Sequence, residues 1–149
     1  FLRDIYDVVV VDCAPGLSGT SLITMEQADA IYLVATPELS AIRNLARYLD
    51  HLRRHNCSDD KIKVVINRYS KKAAITEDKI EKAINRSVSM LVPNCYQDVI
   101  TALNAGQPMP YNSRSELAVT LRDWAESLTG RTEAAKVEPA RRKFGILGL

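Results

Sequence analysis

No apolar run in this 149-residue sequence approaches the roughly 20 residues that a bilayer-spanning helix needs. The first residues also lack the basic and apolar regions of a secretory signal. Cys13, Cys57 and Cys95 are odd in number, widely separated and without C-x-x-C spacing. Neither a disulfide framework nor a zinc site is therefore indicated, and a reducing cytosol is the expected compartment. There is no initiating methionine, and the chain starts almost on top of an apolar run, which predicts a piece of a longer polypeptide. Nothing repeats at a fixed period and no segment is low in complexity.

What is present is the composition of one soluble globular domain, with 46% hydrophobic and 26% charged residues. The net charge of +2 hides an asymmetry: residues 1–40 carry six acids and one base, so the remainder sums to +7. That permits an anionic partner in the later part of the chain, although solvated helix faces produce the same count.

The run "YDVVVVD" predicts a strand over 6–12, because β-branched residues without alternation suit a parallel strand buried on both faces. A loop at 13–19 and a helix near 20–28 follow, then a second strand at 30–36. With Thr36 as N-cap and Pro37 at the first helical position, Leu39, Ile42, Leu45, Leu49 and Leu52 predict a long amphipathic helix over 37–55. "KIKVVIN" at 61–67 is the expected third strand. Thr76 caps the next helix, with Ile75 and Ile80 as a hydrophobic staple. "SVSMLV" at 87–92 is the fourth strand, stopped by Pro93, and a helix over 96–105 ends at Gly106. Ser113 and Glu116 form an S-x-x-E capping box for a last helix lined by Leu117, Leu121, Trp124 and Leu128 and stopped at Gly130. Alternating strands and helices with short connections predict a doubly wound, mostly parallel α/β sheet. The expected division is a domain over 1–130 followed by a linker and basic-apolar tail over 131–149.

Ligands of such sheets bind beyond the carboxyl ends of the strands. Asp12, Thr36 to Glu38, Asn67 with Arg68, and Pro93 with Asn94 should then lie along one edge. An aspartate after four apolar residues has two readings, a turn-closing carboxylate or a Walker-B carboxylate that holds magnesium through water. Gly16 and Gly19 allow a backbone to approach a phosphate closely, and Pro15 restrains that loop.

Taken together, "YDVVVVDCAPGLS", "TPELSAIRNLARYLDHL", "VVINRY", "VPNCYQDVITALNAGQP" and "SELAVTLRDWAESL" resemble, in order and spacing, the C-terminal half of a MinD/ParA-type P-loop ATPase over residues 4 to 130. The resemblance is strongest to the CpaE/TadZ proteins of pilus assembly, with MinD next. It implies that Asp12 is the catalytic aspartate of a D-x-x-P-G switch segment and holds Mg2+ through water, and that Pro15 and Gly16 shape a loop sensing the γ-phosphate of ATP. It implies that Asn67 meets the adenine edge with Arg68 beside it, and that Pro93 and Asn94 pack against the base. A turn asparagine that closes a strand is the alternative reading of Asn67. The family's phosphate loop, G-K-G-G-x-G-K-[ST], is not in these 149 residues, so this chain alone is not expected to hydrolyse ATP.

The sequence ends in "ARRKFGILGL", where Arg141, Arg142 and Lys143 precede Phe144, Ile146, Leu147 and Leu149. Cations beside apolar groups are the ingredients of an interfacial membrane helix, as MinD carries. Gly145 and Gly148 oppose helix formation, and an irregular terminus has the same composition. Residues 43–86 hold twelve bases and six interleaved acids, which reads as a solvated face more readily than as a DNA-contacting one.

The expected function is an ATP-binding localisation switch whose active state is a homodimer. It would work in pilus assembly or polar or septal positioning, in the cytoplasm or peripherally at the inner face of the cell membrane. The alternative is a non-hydrolysing pseudo-ATPase scaffold of the same fold. A bacterial tyrosine kinase lacks support because no tyrosine-rich tail follows residue 111, and an iron-sulfur ATPase because the cysteines are misplaced.

Overall fold

The computed structural model describes residues 1–16, 18–55, 57–108 and 113–130. In chain order these form α1 (Leu2–Ile5), α2 (Gly19–Gln27), β1 (Ile31–Ala35), α3 (Leu39–Arg54), β2 (Ile62–Tyr69), α4 (Glu77–Ile84), β3 (Met90–Pro93), α5 (Tyr96–Asn104) and α6 (Glu116–Thr129). The strands make one sheet in the order β1-β2-β3. Both pairings are parallel, running from Ile31↔Ile62 to Ala35↔Ile66 and from Val65↔Met90 to Tyr69↔Pro93. This is the α/β architecture with a parallel sheet that the sequence predicts.

Strand alternation sorts the core into two layers. Ile31, Ile62, Val64 and Ile66 face α3 and α4, whose Ile42, Leu45, Leu49, Leu52, Ile80 and Ile84 complete the larger cluster; Leu22 and Met25 of α2 pack at its margin. Val65 and Val92 point the other way, onto Leu117 and Trp124 of α6. Leu49, Leu52 and Ile80 are fully buried, and each side chain so placed contributes about 1.5–3 kcal/mol of transfer free energy. The second face is thinly covered, since Val34 of β1 remains 59% exposed.

The expected strand at 6–12 is corrected. This segment pairs with no strand among the described residues, and Val10 and Val11 are 83% and 59% exposed. A continuous apolar run reports what a segment can bury between neighbouring strands and helices, and among the described residues no strand pairs with this one. Residues 2–5 instead form the short α1, where Arg3 donates to the Gln27 carbonyl and pairs with Asp29.

Several helix starts also shift. The N-cap of α3 is Glu38, not Thr36; the carbonyl of Thr36 accepts the Glu38 N–H at 2.8 Å in a tight turn around Pro37. In α6 the cap is Ser115, whose hydroxyl accepts the Ala118 N–H at 3.2 Å. Ser113 sits two residues outside and its hydroxyl accepts the Ser115 N–H at 3.3 Å. Within α6 Leu117 and Ala118 are buried, whereas Leu121 and Leu128 are each 40% exposed. The caps of α2 and α4 lie at Ser18 and Thr76. Ile75 and Ile80 both pack on the larger cluster, as the staple requires. The linker and tail over 131–149 lie outside the described residues.

Candidate nucleotide-binding edge

Parallel pairing places the carboxyl ends of β1, β2 and β3 on one side of the sheet. Two of the expected pairs meet there. Asn67 and Arg68 precede Tyr69, the last residue of β2, and Tyr69 is the register partner of Pro93, which ends β3. The Asn94 N–H donates to the Tyr69 carbonyl at 2.9 Å, tying the two strand ends together.

The end of β2 is irregular. Its register with β3 shifts between Ile66 and Tyr69, and Arg68 within that shift has φ of 56°. A left-handed conformation costs a side-chain-bearing residue about 1–2 kcal/mol. Part of that is offset locally, because the Asn67 side-chain oxygen accepts the Arg68 N–H at 2.9 Å. The same bond orients the Asn67 carboxamide and leaves its two N–H donors for another acceptor. Asn67 is half-buried, Arg68 and Asn94 are exposed, and Pro93 offers a half-buried apolar surface beside them. A carboxamide donor, a cation and a flat apolar wall suit a planar heterocycle with ring acceptors.

Asp12, Pro15 and Gly16 are not joined to this edge by any strand pairing among the described residues. Asp12 and Pro15 are exposed. Gly16 has φ of 126°, a conformation open to glycine, while a Cβ built there meets nothing within 4 Å. The loop is tied to α2: the Ser21 hydroxyl, 7% exposed, lies within 3.2 Å of the Gly16 and Ser18 carbonyls, and Ser18 and Ser21 form a reciprocal capping box. The S-x-x-S spacing at 18–21 is the sequence signal for that start. The left-handed Arg68 had no such signal, since nothing in "INRY" announces a positive φ.

The exposed Asp12 carboxylate has the chemistry to bind a magnesium ion through water, a mode that needs no cluster of protein ligands. Among the described residues no group of three or more His, Cys, Asp or Glu side chains could hold a metal ion. A hollow of about 300 Å³ is lined by Asp98, Thr101, Ala102 and Ala105 of α5 with Gln107, Pro108 and Ser113, none of them a candidate site residue. Arg141, Arg142, Lys143, Phe144, Ile146 and Leu147 lie outside the described residues. No described helix is long and apolar enough to cross a membrane.

The septum site-determining protein MinD of Thermotoga maritima is 28% identical over 130 residues, which cover 84% of this chain and 48% of that protein. A crystal structure of a ParA family ATPase from Chlorobium tepidum superposes with a TM-score of 0.77 at 27% identity, covering 83% of this chain and 52% of that one. The chain is homologous to the MinD/ParA P-loop ATPases. MinD of Bacillus subtilis, 25% identical over 146 residues, extends the match to 95% of this chain and 54% of its own length. No protein-family model matches the chain. This chain thus spans about half the length of the curated MinD proteins that it matches.

Proposed function

We propose that this chain forms the base-binding portion of an ATP-dependent positioning switch of MinD/ParA type. The observation that carries the reading is the junction of Asn67–Arg68 with Pro93–Asn94 at one sheet edge, where the Asn94-to-Tyr69 hydrogen bond holds the strand ends together and Arg68 sits in a strained conformation. Backbone strain is retained where surrounding structure maintains it, and functional sites are where such residues gather. In this reading the Asn67 carboxamide and Arg68 meet the adenine edge, and Pro93 and Asn94 pack on its face. Asp12 holds Mg2+ through water, and Pro15–Gly16 respond to the γ-phosphate. The phosphates themselves need a Walker A loop, a G-x-x-x-x-G-K-[ST] segment absent from these 149 residues.

The ATP-bound state is a homodimer that positions division or pilus machinery, with the CpaE/TadZ-type role in pilus assembly as the narrower version. The division is a domain over 1–130 and a tail over 131–149, whose Arg141–Lys143 and Phe144, Ile146 and Leu147 rest on the cytoplasmic membrane surface. The Bacillus subtilis alignment supports a MinD-like tail, because 95% coverage of the chain must reach past residue 130.

The deciding experiment is binding of a fluorescent ATP analogue to the protein that carries this chain together with its phosphate loop. Asn67→Ala is expected to weaken binding about tenfold, the size of one lost charge-free hydrogen bond plus its desolvated partner. Asp12→Ala is expected to abolish turnover while the base still binds. Unchanged affinity in Asn67→Ala overturns the base assignment. Binding without turnover in the unmodified protein assigns the scaffold reading instead.

A further inference from the structure

The chain has only two histidines, His51 and His55, and they stand one turn apart at the end of α3. His55 is the C-cap, and its N–H donates to the His51 carbonyl at 3.2 Å and to the Leu52 carbonyl at 3.1 Å, which holds it over the last turn of α3. Their ring centroids are 4.4 Å apart and their planes are inclined by 37°. We propose that His51 and His55 form a bidentate site for a divalent transition-metal ion of the zinc, nickel and copper group.

The separation is the one that chelation needs. With metal–nitrogen bonds of about 2.0–2.1 Å, two imidazoles at right angles on one ion place their ring centres about 4.5 Å apart. The centroid separation of 4.4 Å is thus compatible with both rings serving one ion. His51 is half-buried and His55 exposed, so one ring is anchored by its surroundings and the site is open to solvent. The helix carboxyl end also favours a cation through its unpaired carbonyls.

The donor set selects the class of ion. Two neutral nitrogens suit zinc, nickel and copper and leave out magnesium and calcium, which take oxygen ligands. The nearby carboxylates are engaged elsewhere: Asp50 faces Arg53 at 3.5 Å, and Asp59 faces Arg53 at 3.7 Å and Arg86 at 2.9 Å. Cys57 packs against the larger apolar cluster. The remaining coordination positions therefore go to water or to an external donor, which makes this an open site.

Titration calorimetry of the 149-residue chain with NiCl2 and with ZnCl2, in a non-coordinating buffer, tests the proposal. One ion per chain is expected, with no heat from MgCl2. His51→Gln and His55→Gln should each weaken nickel binding at least tenfold, because either alone destroys the chelate, and the double variant should show no binding at this stoichiometry. Nickel should also broaden the imidazole proton resonances of both histidines before any others. Affinity within twofold of the parent in either single variant, or unchanged stoichiometry in the double variant, overturns the site. Circular dichroism of each variant establishes that a loss of binding is not a loss of fold.

Discussion

The backbone N–H of Asn94 donates to the carbonyl of Tyr69 at 2.9 Å, just beyond the point where Tyr69 and Pro93 pair across the sheet. This bond joins the first residue after β3 to the last residue of β2, so the two chain segments that carry the candidate base-binding residues are tied together. Because both partners are backbone atoms, a side-chain change at Asn94 should leave the junction intact and report on binding alone, whereas one at Asn67 also removes the acceptor of the Arg68 N–H.

Arg68→Gly separates strain from function. Glycine adopts the positive φ of 56° freely, so after its own entropy cost the variant should gain about 0.5–1 kcal/mol of stability. Urea unfolding measures this. The same variant should bind nucleotide more weakly, having lost the cation at the sheet edge. A variant that is less stable than the parent shows that the Arg68 side chain holds more structure than its exposure indicates.

Val10→Lys should change stability by no more than about 0.5 kcal/mol, the range of a surface substitution, because Val10 is 83% exposed and unpaired. It should also reduce aggregation, since an exposed β-branched run is an adhesive segment. Leu49→Ala, at 0% exposure in the larger cluster, should instead cost about 2–5 kcal/mol. Chemical denaturation of the two variants side by side distinguishes an exposed 6–12 segment from a strand of the core.

Ser115→Ala should cost about 1 kcal/mol through loss of the α6 cap, whereas Ser113→Ala should cost less than half as much, since its hydroxyl accepts a longer bond from outside the helix. Thermal melts of both variants decide between the two serines. Equal losses would restore the S-x-x-E box over 113–116.

These cases show what the sequence could and could not say. Period and punctuation were sufficient for β1, α3, β2, α4 and β3, because their burial is satisfied within the described residues: Ile42, Leu45, Leu49 and Leu52 are buried as their spacing predicts. The same logic failed at 6–12, where apolar character was real but no strand among the described residues pairs with it. The N-cap position was legible at Thr76, but the single threonine before α3 was not its cap, and Ser113 and Ser115 competed before α6. At the candidate site the pairing of Asn67–Arg68 with Pro93–Asn94 followed from parallel topology, while the left-handed Arg68 depended on a register shift that local residues do not encode.

Arg86 offers a last test, of a contact that no periodicity announces. Its guanidinium donates to the Ile62 carbonyl at 3.0 Å and to the Asp59 carbonyl at 2.9 Å, and it meets the Asp59 carboxylate at 2.9 Å. The Arg86 side chain is 15% exposed but that of Asp59 is 55% exposed, so the ion pair is screened by solvent, and the bond to the Ile62 carbonyl is the best protected part. The fork thereby fastens the end of α4 to the start of β2. Lysine keeps the charge but presents it on one atom and cannot span both carbonyls. Arg86→Lys should accordingly cost about 1–2 kcal/mol through the lost bonds, and Asp59→Asn, which keeps both carbonyls, less than about 1 kcal/mol. If the ion pair were the main contribution, Asp59→Asn would cost as much as Arg86→Lys and both losses would shrink in 1 M salt, where the screening length falls to about 3 Å.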